Sequence, residues 1–332
     1  MIFFEFKHSL PRTTLRGGEM KIGINGFGRV GQALLQQMPP SDDLQIAAIN
    51  EIGLSLSDAV EFLGDAASVT DSGDLTYAGR TSRWLALADH RQIGWEQYGV
   101  QVVVEASRLF LRSEMKEQSA GGQVTILMTG DLRDEPPDLT LVLGVNDTDY
   151  RPHMSILCAG SDRTQSLVPI LHAIHERFAV TSYRTCLHRP PYTGAAGRVQ
   201  NRPDNAEQLA RVLPALSRRG ELIRVDDPEA TFVTAWLDIT VETPADDDEV
   251  LGTLSELATR LPHVLLCSTQ LPSPVGDRHS ALADAASIRT ERLSTNTGSR
   301  IWLKLYYDPV VSYAERIREQ LKSLSEAGKA SK

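Results

Sequence analysis

The sequence predicts an α/β protein of two domains: a mainly parallel sheet covered by helices, followed by an α+β domain built on a mainly antiparallel sheet. Short apolar, β-branched runs at 21–25, 45–50, 100–105, 124–128, 139–145 and 155–159 alternate with polar or helix-compatible stretches, as strands do when they lie side by side under helices. The run 231–242 is different, a single long strand with alternating faces, which suits an antiparallel sheet with one wet side. A chain of 332 residues also has room for two cores, since a domain commonly takes ~100–200 residues.

Taken in order, Lys21-Ile-Gly-Ile-Asn25 is the first strand, and 30–38 is a helix stopped by Pro39-Pro40. The buried strand Met154-Ser-Ile-Leu-Cys-Ala159 leads into a helix over 167–178. After the long strand come a helix at 248–261, strands at 263–268 and 301–307, and a last helix at 311–324 that packs back on the first domain. The expected division is 20–160 plus 311–326 for the first domain and 161–310 for the second, with an extension at 1–19 and an unstructured tail at 327–332. The extension is a poor signal peptide, because its apolar run is broken by charge. Met20 directly precedes the first strand, so a natural start there and a loosely ordered extension stand as alternatives.

A net charge of -9 argues against nucleic acid or a membrane surface as partner, and no apolar run reaches the ~18 residues that span a bilayer. Cys158, Cys186 and Cys267 are odd in number and widely spaced, which fits a reducing, cytoplasmic setting and neither a disulfide framework nor a zinc site. His172 and His175 share a helix face with no third ligand near, so no metal is expected.

Gly26-Phe-Gly-Arg-Val-Gly31 has G-x-G-x-x-G spacing between a strand and a helix. The glycines permit a tight turn, close approach of a pyrophosphate and close helix packing, while the backbone of Phe27, Arg29 and Val30 faces the anion at the helix start. Glu51 follows Gly31 by twenty residues, at the end of the next strand, where a carboxylate accepts from an adenosine ribose and repels a 2′-phosphate. The expected cofactor is NAD in preference to NADP, in a Rossmann-type domain.

The whole of Lys21-Ile-Gly-Ile-Asn-Gly-Phe-Gly-Arg-Val-Gly31, with Leu141–Asn146 and Leu167–Phe178, resembles the phosphorylating glyceraldehyde-3-phosphate dehydrogenase family. That family reads S-N-A-S-C-T-T-N-C-L-A-P at a strand-to-helix turn, its first cysteine being the thioacyl nucleophile. The matching stretch here is Cys158-Ala-Gly-Ser-Asp-Arg-Thr-Gln-Ser-Leu-Val-Pro169, which puts Asp162 in the nucleophile column. An aspartate cannot form the thiohemiacetal. The resemblance implies that His188, in Thr185-Cys-Leu-His188, is the catalytic-type histidine. It is either a structural histidine or the partner of Asp162 in an acid–base pair. Cys158 and Cys186 are read as packed thiols.

The family's E-S-T-G-x-F becomes Glu105-Ala-Ser-Arg-Leu-Phe110, which keeps Ser107 and Phe110 as cofactor contacts and replaces the glycine by Arg108. Met128-Thr-Gly130 replaces the S-A-P turn, and Tyr307-Asp-Pro-Val-Val-Ser-Tyr313 puts Pro309, with neither amide side chain nor N–H, where an asparagine holds the carboxamide. Arg224, with Arg163 beside it and Arg184 near, is the implied substrate-phosphate group. The stretch from His188 to Asn205 is shorter than the family's, and the P-x-x-T-G-A-A phosphate turn is not recognisable in its place. The resulting expectation is a binder of NAD or a phosphorylated metabolite that does not run the phosphorylating reaction, regulatory or partnered with itself or an active paralogue. The alternative is an oxidoreductase of altered mechanism on a phosphorylated or carboxylated small molecule.

Overall fold

Short apolar strands separated by helices build the first half of the chain. The computed structural model describes residues 19–119, 123–130, 135–191, 206–294 and 297–330. In chain order come β1 (Met20–Asn25), α1 (Arg29–Gln37), β2 (Leu44–Asn50), α2 (Leu56–Leu63), β3 (Ala67–Val69), β4 (Leu75–Tyr77), β5 (Arg80–Leu85), β6 (Val102–Glu105), α3 (Arg112–Gln118), β7 (Thr125–Met128), β8 (Leu139–Thr140) and β9 (Ile156–Cys158). They form one sheet in the order β3-β4-β5-β2-β1-β6-β7-β9-β8. β3, β4 and β5 pair antiparallel and the other pairs are parallel. Parallel strands covered on both faces read as unbroken apolar runs, and Val102-Val-Val-Glu105 is buried at every position.

The second half contains α4 (Asp162–Phe178), β10 (Val180–Arg189), α5 (Ala206–Val212), β11 (Gly220–Asp226), β12 (Val233–Val241), α6 (Asp247–Arg260), β13 (Leu265–Ser268), β14 (Ala281–Arg292), β15 (Ser299–Tyr307) and α7 (Val311–Ala330). Its sheet runs β11-β10-β12-β15-β14-β13, with the three central pairs antiparallel and the two outer pairs parallel. β12 and β15 alternate strictly between buried and partly exposed residues, so one face carries the core beneath α4 and α6 and the other is wet. α7 returns to the first sheet, where Gln37 Nε2 donates to the Val311 carbonyl and Arg318 binds the Asp42 carboxylate at 2.6 Å. Among the described residues no helix is long and apolar enough to cross a membrane.

Three expectations change. The run 139–145 is a strand only at Leu139–Thr140, because the Asn146 amide accepts from Val142 N and donates to the Thr140 carbonyl, a local competitor of the ladder. α4 begins at Asp162 and not near 167, because the Ser161 hydroxyl caps it by accepting from Thr164 N. The tail expected to lack structure from 327 continues α7 to Ala330. Residues 1–18 lie outside the described residues.

Candidate functional site

The order β1-β6-β7-β9 brings four strand ends together at the carboxyl edge of the first sheet, where ligands bind in folds of this kind. Each glycine of the first turn meets a separate constraint. Gly26 has φ +96°, and a Cβ there would lie 2.5 Å from Ser107 N. At Gly31 a Cβ would lie 2.5 Å from the Gly26 carbonyl oxygen, so α1 sits close on β1. Gly28 is different: a Cβ would meet nothing within 4 Å, which leaves open space above the turn.

The start of α1 is left for a ligand in a second way. α4 and α6 begin on Ser161 and Asp246, whose side chains accept from first-turn N–H groups, and α2 begins on a capping box at Ser55. α1 has Gly28 at its N-cap, no side-chain cap and no acid in its first turn. Its N–H groups and the positive end of its dipole face the open space, a cradle that fits the pyrophosphate of a dinucleotide.

Glu51 stands at this turn, accepting from Phe27 N at 2.6 Å and from Gly53 N at 2.5 Å. Its carboxylate is therefore fixed at the end of β2, the position a ribose-binding acid requires. Beneath the turn lies a buried chain of hydrogen bonds. Leu87 N donates to Asn50 Oδ1, Asn50 Nδ2 donates to Asn25 Oδ1 at 2.9 Å, and Asn25 Nδ2 donates to Glu105 Oε2 at 2.6 Å. The Ser107 N–H and hydroxyl both donate to Glu105 Oε1. Burial pushes the Glu105 carboxyl up to about 7, against the lowering effect of its bonds from Ser107 and Asn25.

Ser107, expected as a cofactor contact, thus spends its hydroxyl on Glu105 and supports the turn from below. Phe110 is half-buried against the core, edge-on to His90 at 5.5 Å. The exposed apolar side chains flanking the turn are instead Ile52, 54% exposed, after β2, and Leu109, 61% exposed, after β6. Arg108 has φ +60°, a left-handed conformation that glycine holds without strain.

Toward the second sheet the edge is closed by mutual bonding. Tyr313 OH donates to the Gly160 carbonyl at 2.6 Å and accepts from Gly130 N at 3.2 Å, and Gly130 N also donates to Gly160 O at 3.0 Å. Buried Cys158 donates its thiol hydrogen to the Gly130 carbonyl. Pro309 follows Asp308, whose Oδ1 accepts from Val310 N and Val311 N and whose Oδ2 accepts from Gly276 N at 3.0 Å. Pro309 lies in the turn between that aspartate and α7 and offers a ligand no N–H donor.

Asp162 is the first residue of α4, and its side chain is 6% exposed. Its ion-pair partner is Arg189, whose Nη1 lies 3.3 Å away and whose side chain is 3% exposed. The expected pairing of Asp162 with His188 is therefore not the one formed. Alternation along β10 turns Thr185, Leu187 and Arg189 to the buried face and sends His188 to the other, beside Trp236. There His188 Nε2 lies 3.4 Å from the Asp227 carboxylate.

Arg224 is engaged by Asp226, with Nε to Oδ1 at 2.7 Å. Arg184 pairs with Glu221 at 2.8 Å on the wet face. Arg163 is half-buried in the first turn of α4. The three arginines are thus not gathered around His188. Cys186 shares the wet face, opposite Ile223 and Trp236, and His172 and His175 are half-buried.

Sequence reasoning passed over Arg189, Asp227, Ile52 and Leu109. Strict alternation from His188 would have found Arg189, since a neighbour of an outward residue points inward. It also passed over Thr193-Gly-Ala-Ala196, which spells the T-G-A-A of the phosphate turn ahead of its expected place; those residues lie outside the described ones.

Comparison with known proteins agrees with this edge. Residues 20–113 match the family described as the NAD-binding domain of glyceraldehyde 3-phosphate dehydrogenase. A cytosolic glyceraldehyde-3-phosphate dehydrogenase of Ginkgo biloba is 27% identical over 339 residues, covering 90% of this chain and 96% of its own. The Priestia megaterium enzyme is 25% identical with the same two coverages. That of Haemophilus influenzae is 28% identical over 267 residues, 72% of this chain and 77% of its own. With the matched glycine turn, both sheets and the shared length in agreement, the chain is similar to glyceraldehyde-3-phosphate dehydrogenases along most of its length, and its residues 20–113 match the NAD-binding domain of that family.

Proposed function

We propose that this chain is a glyceraldehyde-3-phosphate dehydrogenase homologue that binds NAD through its first domain and does not carry out phosphorylating aldehyde oxidation, serving in the cytoplasm as a regulatory or partner-binding protein. The observation that carries the reading is Asp162, buried at the nucleophile position and paired with Arg189. Thioacyl transfer needs a thiolate that attacks the aldehyde, is relieved of hydride and then leaves to phosphate. A carboxylate held by an arginine begins none of these steps. The helix start that could have lowered a thiol pKa here carries a fixed acid. The alternative oxidoreductase would draw on His188 and Asp162 together, and their separate partners, Asp227 and Arg189, do not favour it.

Nucleotide binding is supported by the uncapped start of α1, the open space at Gly28 and the carboxylate of Glu51. Glu51 would meet a 2′-phosphate with like charge, so NAD is the dinucleotide of choice. For association with a second copy or a paralogue, the surface we name is the wet face of the second sheet, where Ile223, Val225 and Trp236 are exposed. Calorimetry with NAD and NADP, beside NADH-absorbance assays of wild type and Asp162→Cys, tests the reading. NAD should bind more tightly than NADP, and Asp162→Cys should recover little turnover, because Arg108 and Pro309 also alter the cofactor edge and misplacement by ~1 Å can cost ~100-fold. Tighter NADP binding, or robust turnover by the single variant, would overturn it.

A further inference from the structure

The glycine turn has a cation beside it that the dinucleotide reading leaves without a task. β1 and β6 pair in register from Ile22 with Val102 to Asn25 with Glu105, and the chain continues so that Ser107 N lies under Gly26. Arg108 is the next residue, directly after the backbone that abuts Gly26. Its φ of +60° is one that glycine holds without strain, and its backbone N–H is tied to Glu105.

The guanidinium is half-exposed, and no described residue forms an ion pair with it. Arg29, exposed at the first position of α1, is a second cation at the same turn without a described ion-pair partner. Beyond Arg108 little remains for a further group to bind: Gly130 N, Gly160 O and Tyr313 OH satisfy one another, and Pro309 has no N–H.

We infer that Arg108 makes this edge a nucleoside-diphosphate site: adenosine and two phosphates supply the affinity, the second phosphate is held by the Arg108 guanidinium, and groups attached beyond it add nothing. The inference rests on the nucleotide-binding reading and names its ligand class. The forked guanidinium matches a phosphate bidentately. NAD still fits through its adenosine diphosphate half, and ADP, with a full terminal phosphate, fits best.

The test is calorimetry of the full chain with AMP, ADP, ADP-ribose and NAD, on wild type, Arg108→Asn and Arg108→Gly. Both replacements tolerate the left-handed backbone, so the charge is removed and the turn is kept. In wild type, ADP should bind at least about tenfold more tightly than AMP and at least as tightly as NAD. Both variants should lose about tenfold in ADP affinity with AMP affinity unchanged, the latter also reporting an intact turn. Unchanged ADP affinity in the variants, or NAD binding about tenfold more tightly than ADP in wild type, would sink the inference. NAD binding without ADP binding sinks this inference alone, whereas no binding of any of the four also sinks the nucleotide-binding reading.

Discussion

Removing the Arg189 charge is expected to cost far more stability than removing a charge from the wet face of the same sheet. Asp162 and Arg189 are 6% and 3% exposed, so water does not replace the interaction that either one loses. Breaking such a buried pair costs about 3–5 kcal/mol, whereas a pair such as Arg184 with Glu221, 57% and 58% exposed, is worth ~0–1 kcal/mol. At ~2–4 °C per kcal/mol for a domain of this size, Arg189→Met should lower Tm by roughly 6–20 °C and Arg184→Met by little. The cycle is completed with Asp162→Leu and the double variant. Replacing both partners by apolar groups removes both charges of this pair, so the double variant should be more stable than either single one, with a coupling of several kcal/mol. Thermal and urea unfolding of the four proteins would measure it. An Arg189→Met Tm within ~2 °C of wild type, or simple additivity in the double variant, would refute the claim that the nucleophile position is filled by a buried ion pair.

The glycines separate fold from ligand. Gly26→Ala meets both φ +96° and a 2.5 Å approach to Ser107 N, so it should destabilise by at least ~1–3 kcal/mol in thermal unfolding. Gly28→Ala meets no atom within 4 Å, so Tm should hold while calorimetric NAD affinity falls. Glu105 has a folded-state pKa of about 7, above the ~4.3 of an unfolded chain, so the folded protein holds the proton more tightly. That stabilisation is present below the unfolded pKa and lost as pH rises through 7, a change of ~2–4 kcal/mol. Glu105→Gln should therefore gain stability relative to wild type between ~pH 5 and ~pH 8, and a pH-independent difference would contradict the burial of an ionisable carboxyl there.

Much of the first sheet was legible, because parallel strands buried on both faces leave unbroken runs such as Val102-Val-Val-Glu105, and glycine spacing marks the turn after β1. β14 was not. Its Ala-Leu-Ala-Asp-Ala-Ala-Ser run has weak strand character, and a bulge between Asp284 and Arg289 breaks the alternation that would have revealed it. Asp162 and His188 were legible as positions but not as a pair. A resemblance fixes columns, while the partner of a buried acid depends on which neighbour the pleat turns inward, and here that is Arg189. The support Ser107 gives the turn was hidden for a similar reason: its hydroxyl answers a buried carboxylate that only the fold brings within reach. Ile52 and Leu109 leave no signal beyond being apolar, since their exposure is a property of the folded edge.

The central claim is that the cofactor domain outlasts the chemistry it once served. The most direct measurement is NADH formation from glyceraldehyde 3-phosphate, NAD and phosphate by the wild-type chain, on a preparation whose NAD occupancy is confirmed by calorimetry. NAD binding with no turnover above the enzyme-free rate is the expected result, because Asp162 supplies no thiolate and is held by Arg189. Sustained NADH formation by that same preparation would contradict the account.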